Sequence, residues 1–215
     1  MAAALALMTA TFAYADANPA NDSGSFTVRI TPNVDLGVVV DTTGANWAGA
    51  GSSTLEDLTS DLGTDTLLEA PIGIAMAGNF ANQELTLTGV ALNTWQLDTD
   101  EVDVADQMRL YAMFAKPASA TSPGVGDFSG AGNLITGSVT RAGQPQADEG
   151  GDTNHVYELP TAHAEYTGSP NGDVDGMLST ATRKLWLRAR TPSTTTTSGQ
   201  ASFTVTVTAV TGVAL

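Results

Sequence analysis

Residues 201–211 alternate apolar and hydroxyl side chains over a full strand length. Phe203, Val205, Val207 and Ala209 interleave with Ser202, Thr204, Thr206 and Thr208. A period of two puts the first set on one face of an extended chain and the second on the other. β-branched Val and Thr disfavour the helical alternative. Residues 25–31 repeat the pattern, with Phe26, Val28 and Ile30 on one face and Ser25, Thr27, Arg29 and Thr31 on the other. The phrase Ser-Phe-Thr-Val occurs at both 25–28 and 202–205. A chain that opens and closes on strands of this kind must build sheets with one apolar face to bury.

The remaining segments fit that constraint. Strands are expected at 36–40, 66–76, 84–90, 93–98, 108–115, 134–140, 155–159 and 183–190, separated by Gly-, Pro-, Asn- and Asp-rich connections. One short helix is expected near 54–62. Ser53 and Glu56 form a capping box, Leu55, Leu58 and Leu62 follow helical spacing, and Gly63 is a stop. The Thr-rich segment 191–200 reads as the loop of a long hairpin that joins strand 183–190 to the last strand. Many short strands and little helix predict an all-β chain, a single β-sandwich with Greek-key or jelly-roll-like connections. The sandwich is expected over 25–215, after a flexible lead-in at 16–24.

Residues 2–15 are apolar and Ala-rich, and Ala13-Tyr14-Ala15 has the form of a signal-peptidase site. They read as a secretory signal or, if retained, as a strand in which Met8, Ala10, Phe12 and Tyr14 alternate. The segment is too short to span a bilayer. The expected location is secreted, extracellular or at the cell surface. A net charge of −15 argues against nucleic acid and anionic membrane partners. The chain has no cysteine, and so neither disulfide nor thiolate chemistry.

Four of the eight basic residues, Arg183, Lys184, Arg188 and Arg190, fall in one strand. Lys184, Trp186, Arg188 and Arg190 share a face. It is either a basic, aromatic surface that docks on an acidic neighbouring copy, or an outward face paired with carboxylates of its own sheet. Asp98, Asp100, Glu101, Asp103 and Asp106 form an acidic cluster. Asn171, Asp173 and Asp175, with Gly176, match the first half of a calcium loop, but the twelfth position is Thr182 and no helices flank it. The readings there are a calcium site in a β-loop or a solvated acidic turn. His155 and His163, with Glu158 and Glu165 nearby, lack the spacing of a zinc motif. No nucleophile elbow occurs, and no catalytic residue is nominated. Trp47, Trp95 and Trp186 are candidates for stacking on sugars, Trp47 and Trp186 as exposed aromatics.

The lead-in, the strand 25–31 and its echo at 201–209 suggest strand exchange between copies. In this plan the chain resembles secreted β-sandwich subunits of extracellular filaments, including the donor-strand type of bacterial biofilm fibres and archaeal surface threads. The resemblance implies a non-enzymatic structural subunit that polymerises head to tail with copies of itself and needs no cofactor, its insertion fixed by Phe26, Val28 and Ile30, or by residues 8–14 if they are retained, with Phe203, Val205 and Val207 of the closing strand also at the subunit interface. The alternative function is an extracellular carbohydrate-binding or adhesion module whose partners are cell-surface glycans.

Overall fold

The computed structural model divides the chain into two compact units, Met1–Asn33 and Val34–Leu215. It describes residues 27, 29, 35–48, 55, 58–80, 82–115, 122–128, 131–142, 157 and 177–211. The architecture below is that of the second unit. It is all-β, and its sheets are almost wholly antiparallel.

The ten strands are β1 Leu36–Asp41, β2 Asn46–Trp47, β3 Asp65–Ala70, β4 Ile72–Gly78, β5 Gln83–Ala91, β6 Gln96–Leu97, β7 Gln107–Ala115, β8 Thr140–Arg141, β9 Thr182–Arg190 and β10 Phe203–Thr211. In the first sheet β9 is central. β7 pairs along one edge, while β4 and β3 share the other. The expected strand 66–76 is therefore two strands, broken at Pro71. Proline has no amide to give to a ladder, and the register shifts from Leu67↔Arg188 to Ile72↔Leu185 across it. β1 flanks β4, β2 flanks β3, and β6 runs parallel to the start of β7. The second sheet has the order β10-β5-β8.

The alternation in each strand determines what is buried. Ile72, Ile74, Leu110, Ala112, Phe114, Leu185, Leu187 and Ala189 line the inner face of the first sheet, and Leu85 and Leu87 line that of the second. All belong to one apolar cluster. Burying each large side chain contributes about 1.5–3 kcal/mol. Both faces of β7 are covered from Met108 to Ala115, apart from the partly buried Arg109. Its far edge is lined by β6 at one end. At the other end it is lined by residues 133–135 and Tyr157, through Ile135 N→Leu110 O (2.7 Å) and Phe114 N→Tyr157 O (2.9 Å). The same segment continues to β5, where Gly89 N donates to Thr136 O at 2.9 Å. The two sheets are thus joined along one side.

Two expectations are corrected. Among the described residues of 54–62 there is no helix. Side-chain hydroxyls take up local partners instead: Ser60 Oγ meets Thr64 Oγ1 at 2.7 Å, and Thr64 Oγ1 donates to Asp61 O at 2.5 Å. Such bonds compete with a helical ladder. Nor do β9 and β10 form a hairpin. β10 pairs with β5 throughout, Phe203↔Ala91 to Thr211↔Gln83, so segment 191–202 crosses from one sheet to the other. The expected strand 134–140 narrows to a bridge at Leu134 and the short β8. Of 155–159 only Tyr157 is among the described residues.

Candidate functional site: an apolar cleft beside β10

The inner row of β10 differs from that of its neighbour. Leu85 and Leu87 of β5 are fully buried, whereas Phe203, Val205 and Val207 on the same face of the neighbouring β10, in register with Ala91, Gly89 and Leu87, are only half-buried. They look into a cleft of about 680 Å³. Its floor is Leu110, Leu185 and Leu187 of the first sheet, and Trp47, Leu55 and Leu58 form one wall. No charged side chain lines it. Val40 of β1 lies at its border, and β1 and β10 approach within 8 Å between Cα atoms without a ladder joining them. Among the described strands, β1 pairs only with β4, and β10 only with β5. Opposite the joined side, then, two strand edges border an apolar space that no other described strand fills.

The rim is held firmly. Trp47 Nε1 donates to Leu55 O and Trp95 Nε1 to Gly199 O, both at 2.9 Å. Both indoles are thus buried and satisfied, at 5% and 7% exposure. The crossing segment is sewn down by Asp106, whose Oδ1 accepts from Thr195 Oγ1 (2.7 Å) and Thr196 N (2.8 Å), while Oδ2 accepts from the Thr196 hydroxyl. These hydroxyl and amide donors, led by the Thr196 hydroxyl, hold the Asp106 carboxyl down at about 2. Asp106 has φ +64°, a left-handed conformation that Asp tolerates better than most side chains. Asp103 Oδ1 accepts from Ser193 N at 3.1 Å.

The basic strand face is engaged within the chain. Asp65 sits opposite Arg190 in the β3–β9 ladder. Its Oδ1 accepts from Arg188 Nε at 2.7 Å and its Oδ2 from Arg190 Nη1 at 2.6 Å. The Arg188 guanidinium lies 4.5 Å from the centroid of the Tyr111 ring. Tyr111 donates its hydroxyl to Glu101 Oε1 at 2.9 Å, and burial together with that carboxylate pushes its pKa up to about 12. Arg109 Nε meets Asp98 Oδ2 at 2.6 Å. Burial acts to raise the Asp98 carboxyl, but Arg109 and the amides of Asp100 and Glu101 outweigh it and hold it below the usual range. Arg183 points to the inner side and donates to Thr182 O at 2.8 Å.

The nominated residues divide accordingly. Phe203, Val205 and Val207 converge on the cleft. Arg188 and Arg190 converge on Asp65. Trp186, expected to be exposed, is buried at 3% on the same face of β9 as Arg188 and Arg190, and its Nε1 has no hydrogen-bond partner among the described residues. Phe26, Val28, Ile30, Asn171, Asp173, Asp175, His155 and His163 lie outside the described residues. Among the described residues no group of three or more His, Asp or Glu is placed to hold a metal ion, and no helix is long and apolar enough to cross a membrane. Sequence reasoning missed the roles of Asp65 and Asp106. Asp65 is an isolated acid in sequence terms and Asp106 one member of an acidic cluster; the cross-strand register reveals the partners of the first, and the path of the crossing segment those of the second.

No protein-family model matches the chain, and comparison with curated proteins finds none similar to it.

Proposed function

We propose that this chain is a secreted, non-enzymatic subunit of an extracellular filament, in which one copy completes the cleft of the next with its own N-terminal strand. The observation that carries the reading is the half-buried row Phe203, Val205, Val207 facing an uncharged cleft between two strand edges without ladder partners among the described strands. A strand laid there gains backbone hydrogen bonds from an edge and buries alternate side chains in the cleft. Residues 25–31 offer a fitting set, Phe26, Val28 and Ile30, in a phrase that repeats that of β10. Head-to-tail contacts of this kind are heterologous and open, so they build fibres and not closed rings. Sugar binding gains no such support, because Trp47, Trp95 and Trp186 are all buried.

The test is Val28→Asp in the full chain, followed by electron microscopy and by binding of a labelled peptide spanning residues 22–33. Losing one buried valine removes about 1.5 kcal/mol or more, and placing a carboxylate in an apolar site adds to the loss. Peptide affinity is expected to fall at least tenfold and fibres to disappear. Fibres formed equally well by Val28→Asp would defeat the reading.

A further inference from the structure

An apolar cleft selects which side chains of an incoming strand are buried, but not how far along it the strand lies. Alternation has a period of two. A slip of one residue turns Phe26, Val28 and Ile30 outward, whereas a slip of two keeps them facing the cleft. Only a group outside the apolar row can separate registers two residues apart. Segment 25–31 carries one such group. Arg29 stands in its outward phase and is the only basic residue before Arg109. Thr27 and Arg29 are exposed and belong to no strand of their own copy.

The edge of β1 carries the matching charge. Val38 and Val40 share the phase of the buried Met76 and Ile74, so Gly37, Val39 and Asp41 face outward. Asp41 is the one charged residue of β1 and is exposed. Its neighbours Val40 and Thr42 both line the cleft. Its Oδ1 accepts from Thr43 N at 2.9 Å, which holds the carboxyl below its usual range and so keeps it ionised. Gly73, opposite it in the β1–β4 ladder, brings no side chain, and among the described residues no cation pairs with it. The free edge of β10 has no counterpart, since its outward row is Thr204, Thr206 and Thr208.

We propose that the incoming strand pairs with the free edge of β1, parallel to it, and that its Arg29 meets Asp41 of the receiving copy. This rests on the cleft reading above and adds its register. In that alignment Phe26, Val28 and Ile30 lie beside Val38, Val40 and Thr42, and Thr27 lies beside Val39. The antiparallel alignment that brings Arg29 to Asp41 fits less well. It sets Pro32, which has no amide for a ladder, beside Val38. It also carries Phe26 past the end of β1 to Gly44, within the turn where Ala45 N donates to Thr42 O at 3.0 Å. A slip of two residues in the parallel alignment moves Arg29 to Val39 or Thr43 and loses the pair. Opposite charges across a ladder favour a register, and like charges oppose it.

The test uses the full chain carrying Val28→Asp, whose own strand then competes poorly, and labelled peptides spanning residues 22–33. At about 0.15 M salt the screening length is about 8 Å, so distant charges contribute little. Arg29→Glu in the peptide is expected to weaken binding about fivefold. Asp41→Arg in the chain is expected to restore that peptide to within about twofold of the unmodified pair, and Asp41→Asn to abolish the preference between the two peptides. Asp35→Arg, just before the other end of β1, is expected to leave the preference intact. Direction is read by cross-linking, since the chain has no cysteine of its own. Under air oxidation Val39→Cys is expected to form a disulfide with a Thr27→Cys peptide and not with a Thr31→Cys peptide, because bridged Cα atoms lie within about 7 Å. Equal binding of the Arg29 and Arg29→Glu peptides, no rescue by Asp41→Arg, or cross-linking through Thr31→Cys would overturn the proposal and leave the cleft reading standing. An unmodified peptide that does not bind at all would overturn both.

Discussion

Replacing Asp65 with alanine tests whether the basic face of β9 is satisfied within the chain or held free for a partner. Asp65 accepts from Arg188 Nε and Arg190 Nη1 at 2.7 and 2.6 Å, and Arg188 Nη2 also lies 2.7 Å from Oδ1. Arg188 cannot swing into solvent cheaply. Its Nη1 donates to Phe128 O at 3.1 Å, it covers the Tyr111 ring, and its side chain is only 11% exposed. Asp65→Ala leaves that guanidinium in place without its anion. Breaking a buried pair costs about 3–5 kcal/mol and an exposed one less than about 1. The Asp65 and Arg190 side chains are 17% and 33% exposed, so this site lies between the limits. Arg190 contributes little, and most of the loss comes from Arg188. We expect about 2–3 kcal/mol, read as a lower urea midpoint with an unchanged slope. Arg190→Ala is expected to cost less than about 1 kcal/mol. A double-mutant cycle between Asp65 and Arg188 should give a coupling above about 1 kcal/mol. A loss below about 0.5 kcal/mol for Asp65→Ala would refute the argument and return Arg188 and Arg190 to the list of docking residues.

Two further outcomes follow from the geometry. A Cβ on Gly89 would stand 2.7 Å from Leu97 Cδ1 and 2.8 Å from Ile135 Cγ2, so Gly89→Ala should lower stability by about 1–3 kcal/mol, whereas Gly126→Ala, with nothing within 4 Å, should not move the urea midpoint. The Asp106 carboxyl is depressed from 3.8 to about 2 in the folded chain, so its support of the crossing segment is fully present above pH 4 and is lost as pH falls through about 2. Amide hydrogen exchange within 191–202, corrected for its intrinsic pH dependence, should rise over that interval in the wild type, and Asp106→Asn should reduce the pH dependence to the part carried by Asp103.

The strands with clean alternation were legible because the physics is local. β1, β5, β7, β9 and β10 begin and end within a residue or two of their expected positions. The inward set Phe203, Val205, Val207 follows from the period alone. Where the reading failed, the competing effect was non-local. The leucines at 55, 58 and 62 have helical spacing, yet Leu55 and Leu58 are drawn to the wall of the cleft and the neighbouring hydroxyls take local partners. Trp186 shares a phase with Lys184, Arg188 and Arg190, which suggested exposure. Instead that whole face is half-covered, with a cation stacked on Tyr111 beside a buried indole.

The choice of sheet for β10 shows the division between the two levels. Alternation, β-branching and the Thr-rich connection determined that residues 203–211 form a strand with one apolar face, since each of these acts within a few residues. Which edge the strand joins was decided by the tertiary structure. β9 already has β7 on one edge and β3 with β4 on the other, so it has no edge left to offer its successor in sequence. β10 must cross to β5, guided by Asp106 and Asp103 on the connecting segment. That crossing leaves the row Phe203, Val205, Val207 beside an apolar cleft it does not fill.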